Sequence, residues 1–245
     1  FYQLTMAYGY WKTGKGEKQS VFHMFFRQEP FGGGYAVACG LDMLVDFISN
    51  FRFQQSDLDY LSTFNGSDQQ PLFDDAFLKY LSHLEFSCSV DAMPEGTIVF
   101  RNEPLIRVTG PLLEAQLLET PLLNIINYQT LAATKASRIY LASGKAPIME
   151  FGLRRSQSLD GGISASRAAF IGGCSGTSNV IAGKILGIPV SGTHAHSWVM
   201  SFESEPEAFR KFAEVMGNNC VLLVDPYDAR TGILNAIEVG KELEK

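Results

Sequence analysis

The chain has 245 residues, of which 46% are hydrophobic and 19% are charged, and its formal net charge at pH 7 is −6. This length and apolar content predict a globular protein with a sizeable core, divided into two domains. The acidic balance argues against a general nucleic-acid-binding protein, which needs excess Lys and Arg for the phosphate backbone. Any anionic ligand must therefore be held by a local arginine cluster.

The cysteines and the apolar runs indicate the cellular compartment of the protein. Four cysteines are widely spaced without a C-x-x-C pair, which disfavours structural zinc and a disulfide scaffold and favours reduced thiols. No apolar run approaches the roughly 20 residues of a membrane span, and the first residues lack the basic start of a signal peptide. We therefore expect a cytoplasmic protein with no membrane partner. Because the sequence does not begin with Met, we also expect its natural start to lie upstream.

Residues 1–145 predict an α+β domain that ends in a long helix. Apolar residues recur at helical spacing in four segments, which are 3–12, 35–49, 56–64 and 72–83. Alternation typical of strands occurs at 21–27, 86–93, 97–100 and 105–110. The last three strands predict a small antiparallel sheet. In the helical tract from Leu112 to about Ser143, we expect Pro121 to begin a second helical piece, because proline is tolerated in a first turn but not in a helix interior.

Residues 146–245 predict a second domain with alternating strands and helices. The apolar strand candidates are 147–152, 170–174, 188–192 and 221–225, and the helical candidates are 160–170, 178–186, 205–216 and 231–243. This order is typical of a parallel sheet with crossover helices. Because an eight-unit barrel needs about 250 residues, four units predict the first half of an α/β barrel. A small open sheet is the alternative.

Polar side chains follow the first of these strand candidates and precede the second of these helices. Arg154 and Arg155 come directly after a strand, where paired guanidinium groups can hold phosphate or carboxylate oxygens. Ser175, Thr177 and Ser178 precede a helix, whose free N–H groups favour an anion. A plain helix N-cap by one of these three residues explains that segment equally well.

Two histidines follow the third strand candidate. In an α/β barrel, residues after a strand face the mouth of the active site, which makes His194 and His196 candidates for catalysis. A histidine after a strand is also often only a loop residue bonded to a carbonyl group. Asp225, at the end of the fourth strand, could orient a histidine or hold a metal, whereas Asp228 could simply cap the next helix.

Taken in order, these segments resemble the nicotinate phosphoribosyltransferases. The matching motifs are YQLTM at 2–6, FFRQEPFGGGYA at 25–36, EFGLRRS at 150–156, GTSNVIAG at 176–183, GTHAHS at 192–197 and VDPYD-x3-G at 224–232. The resemblance implies an α/β protein with an α+β N-terminal domain and an irregular (β/α) barrel of the type II phosphoribosyltransferase kind, truncated after about four βα units. It also implies that nicotinate and phosphoribosyl pyrophosphate give nicotinate mononucleotide and pyrophosphate, with coupled ATP hydrolysis and with Mg²⁺.

The resemblance further implies a homodimer with shared active sites. By this resemblance, Phe151 stacks on the pyridine ring, and Tyr2 covers the opposite face from the partner subunit. Arg154 lies near the base and the ribose phosphate, and Arg27 is a phosphate-binding arginine donated across the dimer.

The resemblance assigns the remaining site residues to phosphorylation and to substrate binding. His196 corresponds to the histidine that ATP phosphorylates, and Asp225 to the carboxylate that orients it. Ser178 and Thr193 are implied to bind substrate, and no protein-built metal site is implied.

Three features separate this chain from the complete family pattern. Pro226 replaces the small hydroxyl residue expected after Asp225. The R-x-D-S-G strand and the glycine-rich phosphate loops of the family would lie beyond Lys245, so a non-catalytic fragment is one alternative. Another is a barrel aldolase or isomerase acting on a sugar phosphate, but the strand ends show neither a Schiff-base Lys nor a carboxylate pair for it.

Overall fold

The computed structural model describes residues 1–243 and contains two compact units, Phe1–Ile188 and Pro189–Lys245. The predicted division into domains 1–145 and 146–245 stays a prediction. The last two residues of that second domain lie outside the described residues.

The first unit contains seven helices and seven strands. The helices are α1 (Tyr2–Lys12), α2 (Leu41–Ser49), α3 (Gln55–Ser62), α4 (Asp75–Ser82), α5 (Leu112–Ala142), α6 (Ser158–Ile171) and α7 (Val180–Leu186). The strands are β1 (Gln19–Met24), β2 (Ala36–Val37), β3 (Ser89–Ala92), β4 (Ile98–Val99), β5 (Ile106–Pro111), β6 (Met149–Glu150) and β7 (Gly176–Thr177). The helix predicted from residue 35 was wrong at its start. Residues 36–37 pair as a strand, and Gly40, with φ of 107°, then turns the chain into α2.

The strands of the N-terminal part form two antiparallel sheets. One sheet has the order β1-β5-β3, with Phe22 opposite Val108 and Val90 opposite Val108 on its other side. The antiparallel sheet predicted from residue 86 is therefore present. The strand β4 was predicted to belong to this sheet, but it pairs with β2 in a separate two-stranded sheet.

The helix α5 is continuous over 31 residues and contains Pro121. The prediction that Pro121 begins a second piece was therefore wrong. A proline inside a helix costs roughly 3 kcal/mol, whereas each fully buried leucine contributes about 1.5–3 kcal/mol. Leu117, Leu118 and Leu122 are all buried around this position, so packing on both sides of the proline outweighs its local cost. No helix within residues 1–243 is both long and apolar enough to cross a membrane.

Two threonines of α5 hold the short strand β2. The Thr134 hydroxyl accepts a hydrogen bond from the Val37 N–H at 2.9 Å and donates one to the Thr130 carbonyl. Thr130 in turn accepts from the Cys39 N–H at 3.2 Å. Both threonine side chains are fully buried. These bonds satisfy backbone groups that a strand neighbour would otherwise serve.

An ion pair joins α6 to the start of α2. Arg167 of α6 donates two hydrogen bonds to Glu95, at 2.8 and 2.7 Å, and Glu95 also accepts from the N–H groups of Gly40 and Leu41. Burial alone would raise the pKa of Glu95, but the Arg167 guanidinium and the Gly40 N–H hold that pKa below its usual range. The pair fixes α6 against the N-terminal sheets.

The first two strand candidates of the predicted parallel sheet are only partly confirmed. β6 and β7 pair in parallel, with Met149 opposite Gly176 and Glu150 opposite Thr177. The strand predicted at 170–174 was wrong, because α6 continues to Ile171 and its final turn packs tightly on α5. A Cβ on Gly172 would lie 2.3 Å from the Ala133 carbonyl oxygen, so the chain can begin a strand only after this contact.

The second unit contains α8 (His196–Met200), α9 (Glu205–Met216) and α10 (Ala229–Leu243). The strands predicted at 188–192 and 221–225 were wrong. Side chains bond the backbone groups that a neighbouring strand would bond. Thr193 donates to the Val221 carbonyl, and the Leu223 N–H donates to His194. The core around these segments consists of Val199, Ala208, Phe209 and Val239.

Replacing Thr134 by valine should destabilise the protein by about 1–3 kcal/mol, because the buried Val37 N–H loses its acceptor while the side-chain shape is kept. Thr134→Ser retains the hydroxyl and should cost less. Urea unfolding of the three proteins measures the difference. Equal losses for the two variants would show that the hydroxyl does not hold β2.

Replacing Gly232 by alanine should also destabilise the protein, because the new Cβ would lie 2.0 Å from the Val224 carbonyl oxygen. We expect a loss of about 1–3 kcal/mol, as for other overpacked sites. Gly240 on the same helix is a matched control, since nothing lies within 4 Å of its Cβ position. Gly240→Ala should raise the melting temperature. A rise for Gly232→Ala as well would disprove the close approach.

Candidate active site

The carboxyl end of the β6–β7 pair brings two predicted site residues together. The Ser178 N–H donates to the Glu150 carbonyl at 3.0 Å, which continues the parallel register by one residue. Phe151 and Ser178 therefore follow neighbouring strands, which lie about 4.8 Å apart in a sheet. The aromatic residue and the hydroxyl residue are therefore neighbours across the pair of strands.

The residues after β6 supply exposed cations. Arg154 and Arg155 lie in a short 3-10 helix, Leu153–Arg155, and both side chains are exposed. Within the described part of the chain, neither forms an ion pair or a hydrogen bond. The Phe151 ring is 49% exposed. The residues that follow β6 and β7 thus include an exposed aromatic ring, two guanidinium groups without partners in residues 1–243, and a hydroxyl group. These groups suit a flat aromatic ligand that carries a negative charge.

The N-cap of α7 differs from the three residues predicted for it. The side chain of Asn179 caps the helix by accepting from the Ala182 N–H at 3.3 Å. Thr177 lies in β7 and donates its hydroxyl proton to Glu150. The Ser178 hydroxyl, by contrast, has no partner in residues 1–243, so it remains available to a ligand.

The carboxylate of Glu150 is a site residue that sequence reasoning missed. It lies directly behind Phe151 and bonds side chains or backbone of three segments. A single glutamate at the end of an apolar strand is too common to signal such a role. Its partners Ser166 and Thr177 are 16 and 27 residues away in the sequence.

In the second unit, His196 and Asp225 come together as predicted. The Nε2 atom of His196 lies 3.3 Å from Oδ1 of Asp225, and the two side chains are 53% and 59% exposed. His196 is the first residue of α8. Because Asp225 engages Nε2, the Nδ1 atom of His196 is open to a reactant.

His194 occupies a different environment. Its Nε2 atom accepts from the Leu223 N–H at 3.2 Å, and its Nδ1 atom lies 3.3 Å from the Ala195 carbonyl. The ring packs edge-on against Phe212, with centroids 4.7 Å apart. Both nitrogens of His194 are therefore engaged with the backbone, as in a structural histidine.

The neighbouring polar residues also have structural contacts. Thr193 donates its hydroxyl proton to Val221, so a role in substrate binding stays a prediction for it. Asp228 accepts from the N–H and hydroxyl of Thr231 at 2.8 and 2.6 Å and caps α10. The Thr231 contacts also lower the pKa of Asp228.

Tyr2 and Arg27 both lie close to Glu119 of α5. The Tyr2 hydroxyl donates to Glu119 of α5 at 3.0 Å, and its side chain is half exposed. Arg27 follows β1, is exposed, and lines a cavity of about 370 Å³ together with His23 and Glu119. No hydrogen bond, ion pair or ring contact within residues 1–243 joins either side chain to Phe151.

Comparison with known proteins gives a consistent result over nearly the whole chain. Residues 1–127 match the family model of the nicotinate phosphoribosyltransferase N-terminal domain, and residues 146–241 match that of the nicotinate phosphoribosyltransferase family. The chain is 50% identical to nicotinate phosphoribosyltransferase from Bacillus subtilis, over 98% of this chain and 48% of that protein. It is 47% identical to the Caenorhabditis elegans protein of the same name, over 84% of this chain and 36% of that protein.

Solved structures show the same likeness. The crystal structure of human nicotinic acid phosphoribosyltransferase matches with a TM-score of 0.75 and 45% identity, over 82% of this chain and 40% of that chain. A nicotinate-nucleotide pyrophosphorylase from Pyrococcus furiosus shares the fold, with a TM-score of 0.72 at 24% identity, over 97% of this chain and 52% of that chain. The chain thus spans about half the length of its Bacillus subtilis relative, or less for other relatives. On the two family matches, the chain belongs to the nicotinate phosphoribosyltransferase family.

Proposed function

We propose that the protein is a nicotinate phosphoribosyltransferase of NAD biosynthesis, and that this chain supplies its base-binding edge and its phosphorylated histidine. The observation that carries the proposal is that Ser178, whose hydroxyl has no partner in residues 1–243, follows the strand that pairs with the strand before Phe151. The Arg154 side chain, close to Phe151 in the sequence, has no partner among these residues either. Nicotinate is a flat ring with one carboxylate. The edge offers one group for each of these features.

Binding at this edge would orient the ring for transfer. The pyridine face stacks on Phe151, Ser178 donates to the nicotinate carboxylate, and Arg154 supplies a cation close to the base and the ribose phosphate. The ring nitrogen then forms a bond to C1 of phosphoribosyl pyrophosphate, and the bond from C1 to the pyrophosphate oxygen breaks. Nicotinate mononucleotide and pyrophosphate leave as products.

His196 is suited to accept a phosphoryl group from ATP. In its neutral form, the ring carries its proton on Nε2, where Asp225 accepts it, and the Nδ1 lone pair is free to attack. The bond from Nδ1 to the γ-phosphorus forms as the bond from that phosphorus to the ADP oxygen breaks. The phosphohistidine adds about two negative charges, which changes the local electrostatics and couples ATP hydrolysis to synthesis.

ATP is then a co-substrate, and Mg²⁺ would accompany the phosphates. Within residues 1–243, no group of three or more His, Cys, Asp or Glu side chains is placed to hold a metal ion. Mg²⁺ is commonly held by substrate phosphates, water and one or two carboxylates. The exposed Asp225 fits such a contribution, and the residues present therefore fit a metal that arrives with ATP and phosphoribosyl pyrophosphate.

We further propose a barrel fold, a homodimer and a cytoplasmic location for the protein. β6 and β7 would belong to an irregular type II phosphoribosyltransferase barrel. The enzyme would be a homodimer in which Tyr2 and Arg27 complete the site of the partner subunit, since both are exposed and away from Phe151. A cytoplasmic location agrees with the four free thiols of Cys39, Cys88, Cys174 and Cys220.

Ser178→Asp should weaken the preference for the acid over the amide. A carboxylate at this position repels nicotinate and accepts the amide N–H of nicotinamide. We expect kcat/KM for nicotinate to fall about tenfold or more relative to that for nicotinamide, because one charged contact is worth about 1.5–3 kcal/mol. Ser178→Ala, which removes the hydroxyl without adding charge, is the control. Equal losses on both substrates in Ser178→Asp would contradict the assignment.

Incubation with γ-labelled ATP should show which histidine is phosphorylated. His196→Ala should abolish an acid-labile phosphoenzyme and leave slow ATP-independent transfer. His194→Gln should keep the label, because its amide oxygen replaces Nε2 as the acceptor for the Leu223 N–H. Label retained in His196→Ala, or lost only in His194→Gln, would show that the wrong histidine was chosen.

Mixing two impaired variants should test the shared site. In a hybrid dimer of Tyr2→Ala and His196→Ala subunits, one site is free of both changes, so part of the activity should return. Tyr2→Phe keeps the ring while it removes the bond to Glu119, and it should remain active alone. If hybrids form and no activity returns, Tyr2 does not act across a subunit boundary.

A further inference from the structure

The carboxylate of Glu150 receives a hydrogen bond from each of three segments that surround the base-binding edge. Its Oε1 atom accepts from the Gly152 N–H. Its Oε2 atom accepts from the Ser166 hydroxyl of α6 at 2.9 Å and from the Thr177 hydroxyl of β7 at 2.6 Å. One side chain therefore joins the loop after β6, the neighbouring strand and the helix between them.

These bonds continue into a buried polar network. Thr177 accepts from the Asn179 N–H at 3.0 Å, and the Asn179 amide donates to the Ser166 hydroxyl at 3.3 Å. Ser166, Thr177 and Asn179 are each at most 1% exposed. Because Asn179 also caps α7, the network extends from Glu150 to the start of that helix. Buried networks of this kind fix a single arrangement when every member is satisfied.

The two residues assigned to the nicotinate ring are the immediate neighbours of this network. Phe151 lies between Glu150 and Gly152, and the Glu150 carboxylate accepts a hydrogen bond from the Gly152 N–H. Ser178 lies between Thr177 and Asn179, which are both members of the network. The side chain of Glu150 therefore constrains the backbone on either side of each ligand residue and touches no ligand itself.

A carboxylate fits this position better than other side chains. All three of its partners are donors, and an ionised carboxylate is an acceptor only. Glutamine could keep its oxygen towards the Gly152 N–H, and its amide group could face the hydroxyls, which can rotate to accept. Alanine would leave the Gly152 N–H without an acceptor and remove the side-chain bonds to Ser166 and Thr177.

We propose that Glu150 is a positioning residue for nicotinate, which sets the spacing between the Phe151 ring and the Ser178 hydroxyl. This role rests on the proposed function of the edge. It predicts that the loss of Glu150 weakens the use of nicotinate more than that of phosphoribosyl pyrophosphate, since Phe151 and Ser178, which adjoin the network, are both assigned to the base.

The test is a comparison of steady-state kinetics for the wild-type protein, Glu150→Ala and Glu150→Gln. In Glu150→Ala, the KM for nicotinate should rise about tenfold or more, as for other small misplacements of a bound group, while the KM for phosphoribosyl pyrophosphate stays within about twofold. In Glu150→Gln, most of this rise in the KM for nicotinate should be absent. In parallel, amide hydrogen exchange of the peptide covering residues 149–157 should become faster in Glu150→Ala only.

Glu114→Ala is the matched control. Glu114, 7% exposed, is a carboxylate that likewise accepts from a backbone N–H, that of Ser87 at 2.6 Å. It lies on α5, and its hydrogen bonds reach neither β6 nor β7. Glu114→Ala should lower stability without changing the KM for nicotinate. An unchanged KM for nicotinate in Glu150→Ala, or an equal rise in Glu114→Ala, would overturn the positioning role while the proposed function stands. If the wild-type protein transfers no phosphoribosyl group to nicotinate, the proposed function fails, and the exchange at residues 149–157 alone then decides whether Glu150 holds the edge.

Discussion

Close packing on the helix α5 is the constraint on which the candidate base site depends. On one side, Thr130 and Thr134 bond the backbone around β2. On another, α6 approaches so closely at Ala133 that Gly172 has no room for a side chain. This contact fixes where α6 ends and where β7 can begin. The parallel pair β6–β7, and the edge that it presents, follow from that placement.

The chemistry at this edge depends on local charge rather than on the charge of the whole chain. A protein with a net charge of −6 disfavours anions on average. Within residues 1–243, the side chains of Arg154 and Arg155 nevertheless form no ion pair or hydrogen bond. Arg167, by contrast, forms an ion pair with Glu95 at 2.7 Å. The first two arginines can therefore serve an anionic ligand while the third serves the fold. In the second unit, His196 lies within hydrogen-bond distance of the Asp225 carboxylate, whereas His194 bonds backbone groups.

The periodic apolar residues predicted most of the helices, because helical periodicity is a local signal, and the resemblance to the family implied the pairing of His196 with Asp225. Prediction from the sequence failed where long-range contacts decide. Pairing with Ile98 and Val99 makes residues 36–37 a strand, although their apolar spacing suits a helix. Burial around Pro121 keeps α5 continuous. At residues 221–225, side chains bond the backbone in place of a strand neighbour. The role of Glu150 also depends on partners distant in sequence, which no local motif reveals.

The most direct measurement is product analysis by mass spectrometry after the protein that carries this sequence is incubated with phosphoribosyl pyrophosphate and an equal mixture of nicotinate and nicotinamide. A hydroxyl donor beside an aromatic face, with free guanidinium groups close in sequence, predicts that nicotinate mononucleotide and pyrophosphate form in equal amounts and that nicotinamide is left unused. Formation of the amide nucleotide at a comparable rate, or of neither nucleotide, would contradict the assignment of this edge to nicotinate.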